Sequence, residues 1–175
     1  SDLDLNSSSD FWELEDREGG VMDGAAPEHV RDAATVLSRY VDLIAIRPAL
    51  TGSSWKVDRQ DAGICSWANH SEVPVINMES ALWHPLQTLA DLMTLREHFG
   101  ALSGRKLTIV WTHSPTGVSP SVVNSLLHAT IRSGMQVRLA HPPGYELDHE
   151  VLAEAERIAS KSAGTYEVSN KLPDA

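Results

Sequence analysis

Cysteine is almost missing from this chain: Cys65 is the only one. A lone thiol forms no internal disulfide and no cysteine-rich zinc site. Basic side chains are also scarce, with 14 Lys and Arg against 24 Asp and Glu and a formal net charge of −10. That balance argues against a nucleic-acid or anionic-membrane partner, because a phosphate backbone needs a basic surface. It leaves room for a local anion site made by a few arginines and helix N-termini. No apolar run nears the ~20 residues of a membrane span, and no basic-then-apolar leader opens the chain. A cytoplasmic protein is the expectation. Gly-x-Gly-x-x-Gly and P-loop patterns are absent, which disfavours a nucleotide-binding regulator. Ser114, Ser119 and Ser121 lack a nucleophile-elbow context, which disfavours a serine hydrolase. His113 and His141 have no second ligand at metal spacing, so no metal site is expected.

What is there is an ordinary globular composition, 42% hydrophobic over 175 residues, enough for one domain or parts of two. The chain opens at Ser1 and stops at Leu172-Pro173-Asp174-Ala175, which reads as a segment of a longer protein. Residues 1–20 are polar and acidic, with Phe11, Trp12 and Leu14 as apolar anchors. Helical spacing of Val30, Ala33, Ala34, Leu37 and Tyr40 predicts a helix near 28–39. Val41 to Ile46 and Val73 to Met78 read as buried strands, separated by a loop at 48–56 and a weaker helix at 58–69. A helix over 84–99 ends at Gly100. Strands at 107–111 and 137–140, helices at 120–133 and 148–162, and a strand from 166 complete the pattern.

Alternating strands and helices with short links imply α/β architecture with parallel sheets. The reading is two parallel-sheet α/β lobes joined by one long helix, both lobes incomplete. The boundaries are 1–83 for the first lobe, 84–103 for the joining helix and 104–175 for the second lobe. Ligands in such sheets bind beyond the carboxyl ends of the strands. Arg47, Glu79 and Thr112-His113-Ser114 fall at those ends. Cys65 lies on a helical pattern and reads as packing. His29, His70, His98, His128 and His149 are placed on helix or loop surfaces.

His84-Pro85-Leu86-Gln87 is the sharpest local feature. Proline suits the first helical position, His84 the cap, and Gln87 the position from which a side chain folds back toward the cap. A capped helix start is one reading. The other is an anion or carbonyl site, since free N–H groups and the positive dipole end converge there. His84 adds a donor, Gln87 a donor and an acceptor, and Arg47 a bidentate clamp. The set suits a small, planar, anionic substrate such as an acyl phosphate.

Longer stretches carry a resemblance. They are Val21-Met22-Asp23-Gly24, Arg39-Tyr40-Val41-Asp42-Leu43-Ile44, Val73-Pro74-Val75-Ile76-Asn77-Met78-Glu79 and His84-Pro85-Leu86-Gln87. Arg96-Glu97-His98-Phe99-Gly100, Trp111-Thr112 and His141-Pro142-Pro143-Gly144-Tyr145 extend it. In this order, from about residue 12 onward, the chain resembles the aspartate/ornithine carbamoyltransferases, and within them the N-acylornithine branch. The resemblance implies a carbamoyl phosphate-binding lobe followed by an amine-binding lobe. It implies that Arg47 contacts carbamoyl phosphate and that His84 and Gln87 grip the carbamoyl group. Glu79 would belong to the acylornithine site. Trp12 would reach a neighbouring subunit's site in a homotrimer with shared sites. No metal or organic cofactor is implied.

The resemblance also bears on substrate. The acetylornithine subgroup has Glu where this chain has Pro27, and the succinylornithine subgroup has Pro. A Glu would repel a succinyl carboxylate, so Pro27 points to N-succinylornithine and arginine biosynthesis. A helix N1 position is the plain structural reading of Pro27. Ser119 stands near a substrate-contacting Asn of the acetyl subgroup, which leaves that contact open. The family's Ser-x-x-Arg-Thr-Arg phosphate loop and its later amine-site residues fall outside this chain, so the isolated chain is expected to be inactive. N-acetylornithine, another amine, or a non-catalytic paralogue remain as alternatives.

Overall fold

The computed structural model describes residues 14–15, 19–22, 26–48, 54–114 and 119–171. Trp12, expected to serve a neighbouring subunit, lies outside the described residues.

A two-residue strand, β1 (Leu14–Glu15), pairs in parallel with β2 (Glu28–His29). His29 then caps α1 (Val30–Leu37), its Nδ1 accepting the Arg31 N–H at 3.0 Å. The surface placement of His29 is therefore wrong: it is buried, because capping and β-pairing draw it inward. Pro27 lies one step before β2, exposed, and not at a helix N1 position. Val30 and Ala34, four residues apart, form the buried stripe of α1.

The next strand, β3 (Ile44–Ile46), pairs in parallel with β4 (Val75–Asn77), with Ile44 opposite Val75 and Ile46 opposite Asn77. Both strands are shorter than the apolar runs suggest. Leu43, Ile76 and Met78 stay exposed, so these runs are not buried on both faces. Between the strands, the single helix expected over 58–69 is two: α2 (Trp55–Asp58) and α3 (Ala62–His70). The break is at Asp61, with φ +49°, a left-handed conformation that Asp tolerates better than most residues. Cys65 is exposed on α3, so it is not a packing residue.

The long helix, α4 (Pro85–Phe99), is capped by His84 and ends at Gly100, where φ is +70°. It is about 22 Å long at 1.5 Å per residue. Leu92 and Leu95 pack into the second lobe's core, while Leu89 and Met93 face outward.

That second lobe runs β5 (Lys106–Val110), α5 (Ser121–Arg132), β6 (Gln136–Ala140), α6 (His149–Ala159) and β7 (Thr165–Ser169). The three strands form one parallel sheet in the order β5-β6-β7. Two successive strand–helix–strand units bring α5 and α6 side by side. Leu127, Ile131 and Leu139, all fully buried, centre a core that reaches Trp83. Burial of each such side chain contributes about 1.5–3 kcal/mol. His128, also expected at the surface, is half-buried, with Nε2 2.8 Å from the Val151 carbonyl. Burial holds its pKa below the ordinary value.

Polar contacts tie the two lobes together. Arg59 lies 2.8 Å from Asp148 Oδ2 and 2.9 Å from Glu150, and the Trp55 indole donates to Asp148 at 3.3 Å. Asp148 also caps α6 by accepting the Glu150 N–H at 3.0 Å. Burial pushes the Asp148 carboxyl up, but the Glu150 N–H, Trp55 and Arg59 outweigh it and hold the pKa below the usual value.

Two outcomes follow. Gly164 approaches the Ile131 backbone so closely that an added Cβ would overlap its carbonyl, whereas Gly100 has open space and only a positive φ. Gly164→Ala is expected to cost about 1–3 kcal/mol and Gly100→Ala about 1 kcal/mol, read from urea unfolding of the full-length protein. A carboxyl with a depressed folded pKa stabilises above its unfolded value and loses that contribution as pH falls. Stability should therefore drop below about pH 4, and Asp148→Asn should flatten that acid limb in the same titration.

Candidate functional site

Parallel pairing of β3 with β4 brings their carboxyl ends to one edge. Arg47 leaves the end of β3 and Glu79 follows the end of β4, so both emerge together. The chain then makes a tight turn, closed by the Ser80 N–H to the Trp83 carbonyl at 2.8 Å, and enters α4. This turn delivers His84 to the same edge.

The result is a charged cluster. Glu79 Oε2 pairs with the Arg47 guanidinium and lies 3.5 Å from His84 Nε2. Its other oxygen, Oε1, accepts from Ser121 Oγ at 3.1 Å, and Ser121 accepts from Ser119 Oγ at 3.0 Å. Residues from both lobes thus meet: Arg47, Glu79 and His84 from the first lobe and its exit, Ser119 and Ser121 from the start of α5. His84 and Glu79 are mostly covered, at 18% and 23% side-chain exposure, while Arg47 is open at 67%. A covered His–Glu pair beside a solvent-facing guanidinium suits a small anion arriving from outside.

The His84 ring is oriented by its own helix. Nδ1 accepts the Gln87 N–H at 3.4 Å, so in the neutral ring the proton sits on Nε2, assigned from these contacts. His84 therefore presents an N–H donor to the cluster. The His84 backbone N–H donates to Ser125 Oγ on α5 at 2.8 Å.

Gln87 departs from expectation. Its side chain does not fold back on the cap; Nε2 donates to Asp91 Oδ1 at 2.9 Å, on the exposed face one turn along. An i,i+4 Gln–Asp bond is a favourable helix-surface pair and competes with the cap. Pro27 is exposed ahead of β2, and its side chain carries no polar group to join the cluster. His113 is exposed beyond β5, and His141 is buried with Nδ1 2.9 Å from the Pro142 carbonyl.

Sequence reasoning missed Ser121 as a Glu79 partner and missed Asp61 altogether. Ser121 is 1% exposed and opens α5 directly after Pro120; the helix expected over 120–133 carried no signal of a contact across the lobes.

A second hollow lies at the carboxyl ends of β5 to β7, about 280 Å³ in volume and lined by Trp111, Thr112, His141, Pro142 and Asn170. The larger one, about 460 Å³, is at the opposite, amino-terminal part of the same sheet, lined by Lys106, Gln136 and Thr165 among others. Strand polarity favours the former for a ligand. Among the described residues no group of three or more His, Cys, Asp or Glu could hold a metal ion. No described helix is long and apolar enough to cross a membrane.

Comparison with known proteins points one way. The family described as aspartate/ornithine carbamoyltransferase, carbamoyl-P binding domain, matches residues 8–97. The N-acetylornithine carbamoyltransferase of Xanthomonas campestris pv. campestris is 41% identical over 174 residues, covering 98% of this chain and 51% of that protein. The N-succinylornithine carbamoyltransferase of Bacteroides fragilis is 33% identical over 153 residues, covering 87% of this chain and 47% of that one. A crystal structure of an N-acetyl-L-ornithine transcarbamylase with one glutamate changed to proline, complexed with carbamyl phosphate and N-succinyl-L-norvaline, superposes with a TM-score of 0.88. It is 42% identical and covers 94% of this chain and 50% of that chain. The chain spans about half the length of the curated relatives it matches.

Proposed function

This chain belongs to the aspartate/ornithine carbamoyltransferase family, and we propose that it carries the carbamoyl phosphate side of a site that carbamoylates the δ-amine of an N-acylornithine. N-Succinylornithine is the substrate we assign, within arginine biosynthesis. The observation that carries the proposal is the cluster itself. The Arg47 guanidinium and the His84 Nε2–H converge on one carboxylate oxygen of Glu79. A guanidinium paired with a carboxylate oxygen and an imidazole N–H facing the same oxygen also suit an oxygen of carbamoyl phosphate.

In this reading carbamoyl phosphate takes Arg47 and His84 from Glu79. The δ-amine lone pair attacks the carbamoyl carbon and a C–N bond forms. Negative charge gathers on the carbonyl oxygen, where His84 Nε2–H and Arg47 stabilise it. The C–O bond to phosphate then breaks, and the departing inorganic phosphate takes up the proton that the amine gives up. Gln87 turns from Asp91 to hold the carbamoyl NH₂. Glu79, released from Arg47 and still held by Ser121, faces the amine substrate, with Ser119 beside it. The chain supplies position and charge, with no metal or organic cofactor in any step.

Pro27 supports the succinyl assignment. A proline there places no charge against a succinyl carboxylate, and a glutamate-to-proline relative is complexed with N-succinyl-L-norvaline. The higher identity to an N-acetylornithine enzyme favours the acetyl compound instead. We further assign the protein to a homotrimer in which Trp12 reaches the neighbouring site.

A ureido-product assay of the full-length protein, with carbamoyl phosphate and ornithine, N-acetylornithine or N-succinylornithine in parallel, tests the proposal. Product from N-succinylornithine, with His84→Ala slowing turnover by about 10²–10³, is the expected result. Product from the acetyl compound alone would sink the assignment to Pro27, and no product from any of the three would sink the proposal.

A further inference from the structure

The turn between Glu79 and His84 is held by a residue outside the charged cluster. Asp61 sits at the N-cap of α3, where an Asp side chain ordinarily accepts N–H groups of its own helix. Here it makes no such bond. Its carboxylate reaches across to the turn instead. Oδ2 accepts from Ser80 Oγ at 2.7 Å, and Oδ1 accepts from the Ala81 N–H at 3.0 Å and the Leu82 N–H at 3.4 Å. Ser80 Oγ in turn accepts from Asn77 Nδ2 at 2.9 Å, which links the turn to the end of β4. Ser80 and Ala81 are buried at 1% and 4% exposure.

Two local preferences are forgone for this arrangement: the cap of α3 and a right-handed backbone at Asp61, whose φ is +49°. Strain of this kind persists where the surroundings impose it, and it clusters at functional sites. All three bonds of the carboxylate fall on the segment that separates Glu79 from His84. From the other side, Asn124 Nδ2 donates to the Leu82 carbonyl at 3.1 Å and Ser125 Oγ accepts the His84 N–H at 2.8 Å. The turn is therefore gripped by the first lobe through Asp61 and by the second through α5.

We propose that Asp61 is a positioning residue: its carboxylate sets the spacing of Glu79 and His84, and so the geometry with which the cluster takes carbamoyl phosphate. The binding part of this proposal rests on the function assigned above; the positioning part does not. A displacement of the order of 1 Å at such a site costs large factors in binding or rate.

The test uses the full-length protein and two variants. Asp61→Gly tolerates the left-handed backbone and removes the carboxylate. Asp61→Asn keeps the backbone preference and one acceptor oxygen. Three readouts are taken: amide exchange at Ala81 and Leu82, side-chain NMR resonances of His84 and Glu79 without ligand, and the Kd for carbamoyl phosphate by calorimetry. In Asp61→Gly we expect faster exchange, shifted His84 and Glu79 resonances and binding weakened about tenfold or more, with Asp61→Asn in between. If the Gly variant does not fold, the Asn variant is compared with wild type on the same readouts. Unchanged His84 and Glu79 resonances with unchanged Kd, alongside faster exchange at Ala81 and Leu82, would overturn the proposal, since Asp61 would then hold only its own turn. Shifted resonances in a protein whose wild type does not bind carbamoyl phosphate would uphold the positioning role and reject the assigned function.

Discussion

The structure turns on a short piece of backbone, Ser80 to His84, held between Asp61 at the start of α3 and Asn124 and Ser125 on α5. Every backbone N–H in it is paired: those of Ala81 and Leu82 with Asp61, that of His84 with Ser125, that of Ser80 with the Trp83 carbonyl and that of Trp83 with the Ser80 hydroxyl, while Asn124 donates to the Leu82 carbonyl. Buried backbone N–H groups left without partners are costly, so a turn this covered has few alternative conformations. It fixes the start of α4, and α4 in turn sends Leu92 and Leu95 into the core of the second lobe. The join between lobes and the charged cluster are thus one construction. A change that loosens the turn loosens both.

Charge placement follows from the same geometry. Among the described residues Glu79 is the acid at the meeting point of Arg47, His84 and Ser121. It pairs a guanidinium that itself stays open to solvent, and in the proposed reaction it occupies the position an incoming anion would take. Ligand anion and Glu79 therefore compete for the same donors. In the proposed reaction an anion that won would leave Glu79 held by Ser121, with its other oxygen open to the amine substrate.

Much of this was legible in the sequence. The period change between apolar runs and helical stripes located β5 to β7 and α5 to within about one residue and α6 to within about three. Pro85 and Gly100 bracketed α4 because each suits one end of a helix and not its middle. Arg47, Glu79 and His84 were readable as strand-end and cap residues, and they do converge. What sequence could not show was contact across the fold. Ser121 and Asp61 are ordinary helix-start residues until tertiary structure aims them at Glu79 and the turn. Asp61 is an instance where a local cap preference is overruled by a distant partner, which also breaks the helix expected over 58–69. His29 does not follow from the pattern because capping and burial need no apolar stripe, and Gln87 does not because Asp91 lies one turn ahead as a competing partner. The two-residue pairing of β1 with β2 is too short to leave any periodic signal.

The central claim is that the edge defined by Arg47, Glu79 and His84 takes carbamoyl phosphate. A crystal structure of the full-length protein with carbamoyl phosphate bound tests it most directly. The account predicts the carbamoyl oxygen within hydrogen-bond distance of His84 Nε2 and Arg47, the phosphate also against Arg47, Gln87 turned from Asp91 to the carbamoyl NH₂, and Glu79 no longer paired with Arg47. Carbamoyl phosphate bound elsewhere, with the Arg47–Glu79–His84 contacts intact, would contradict it.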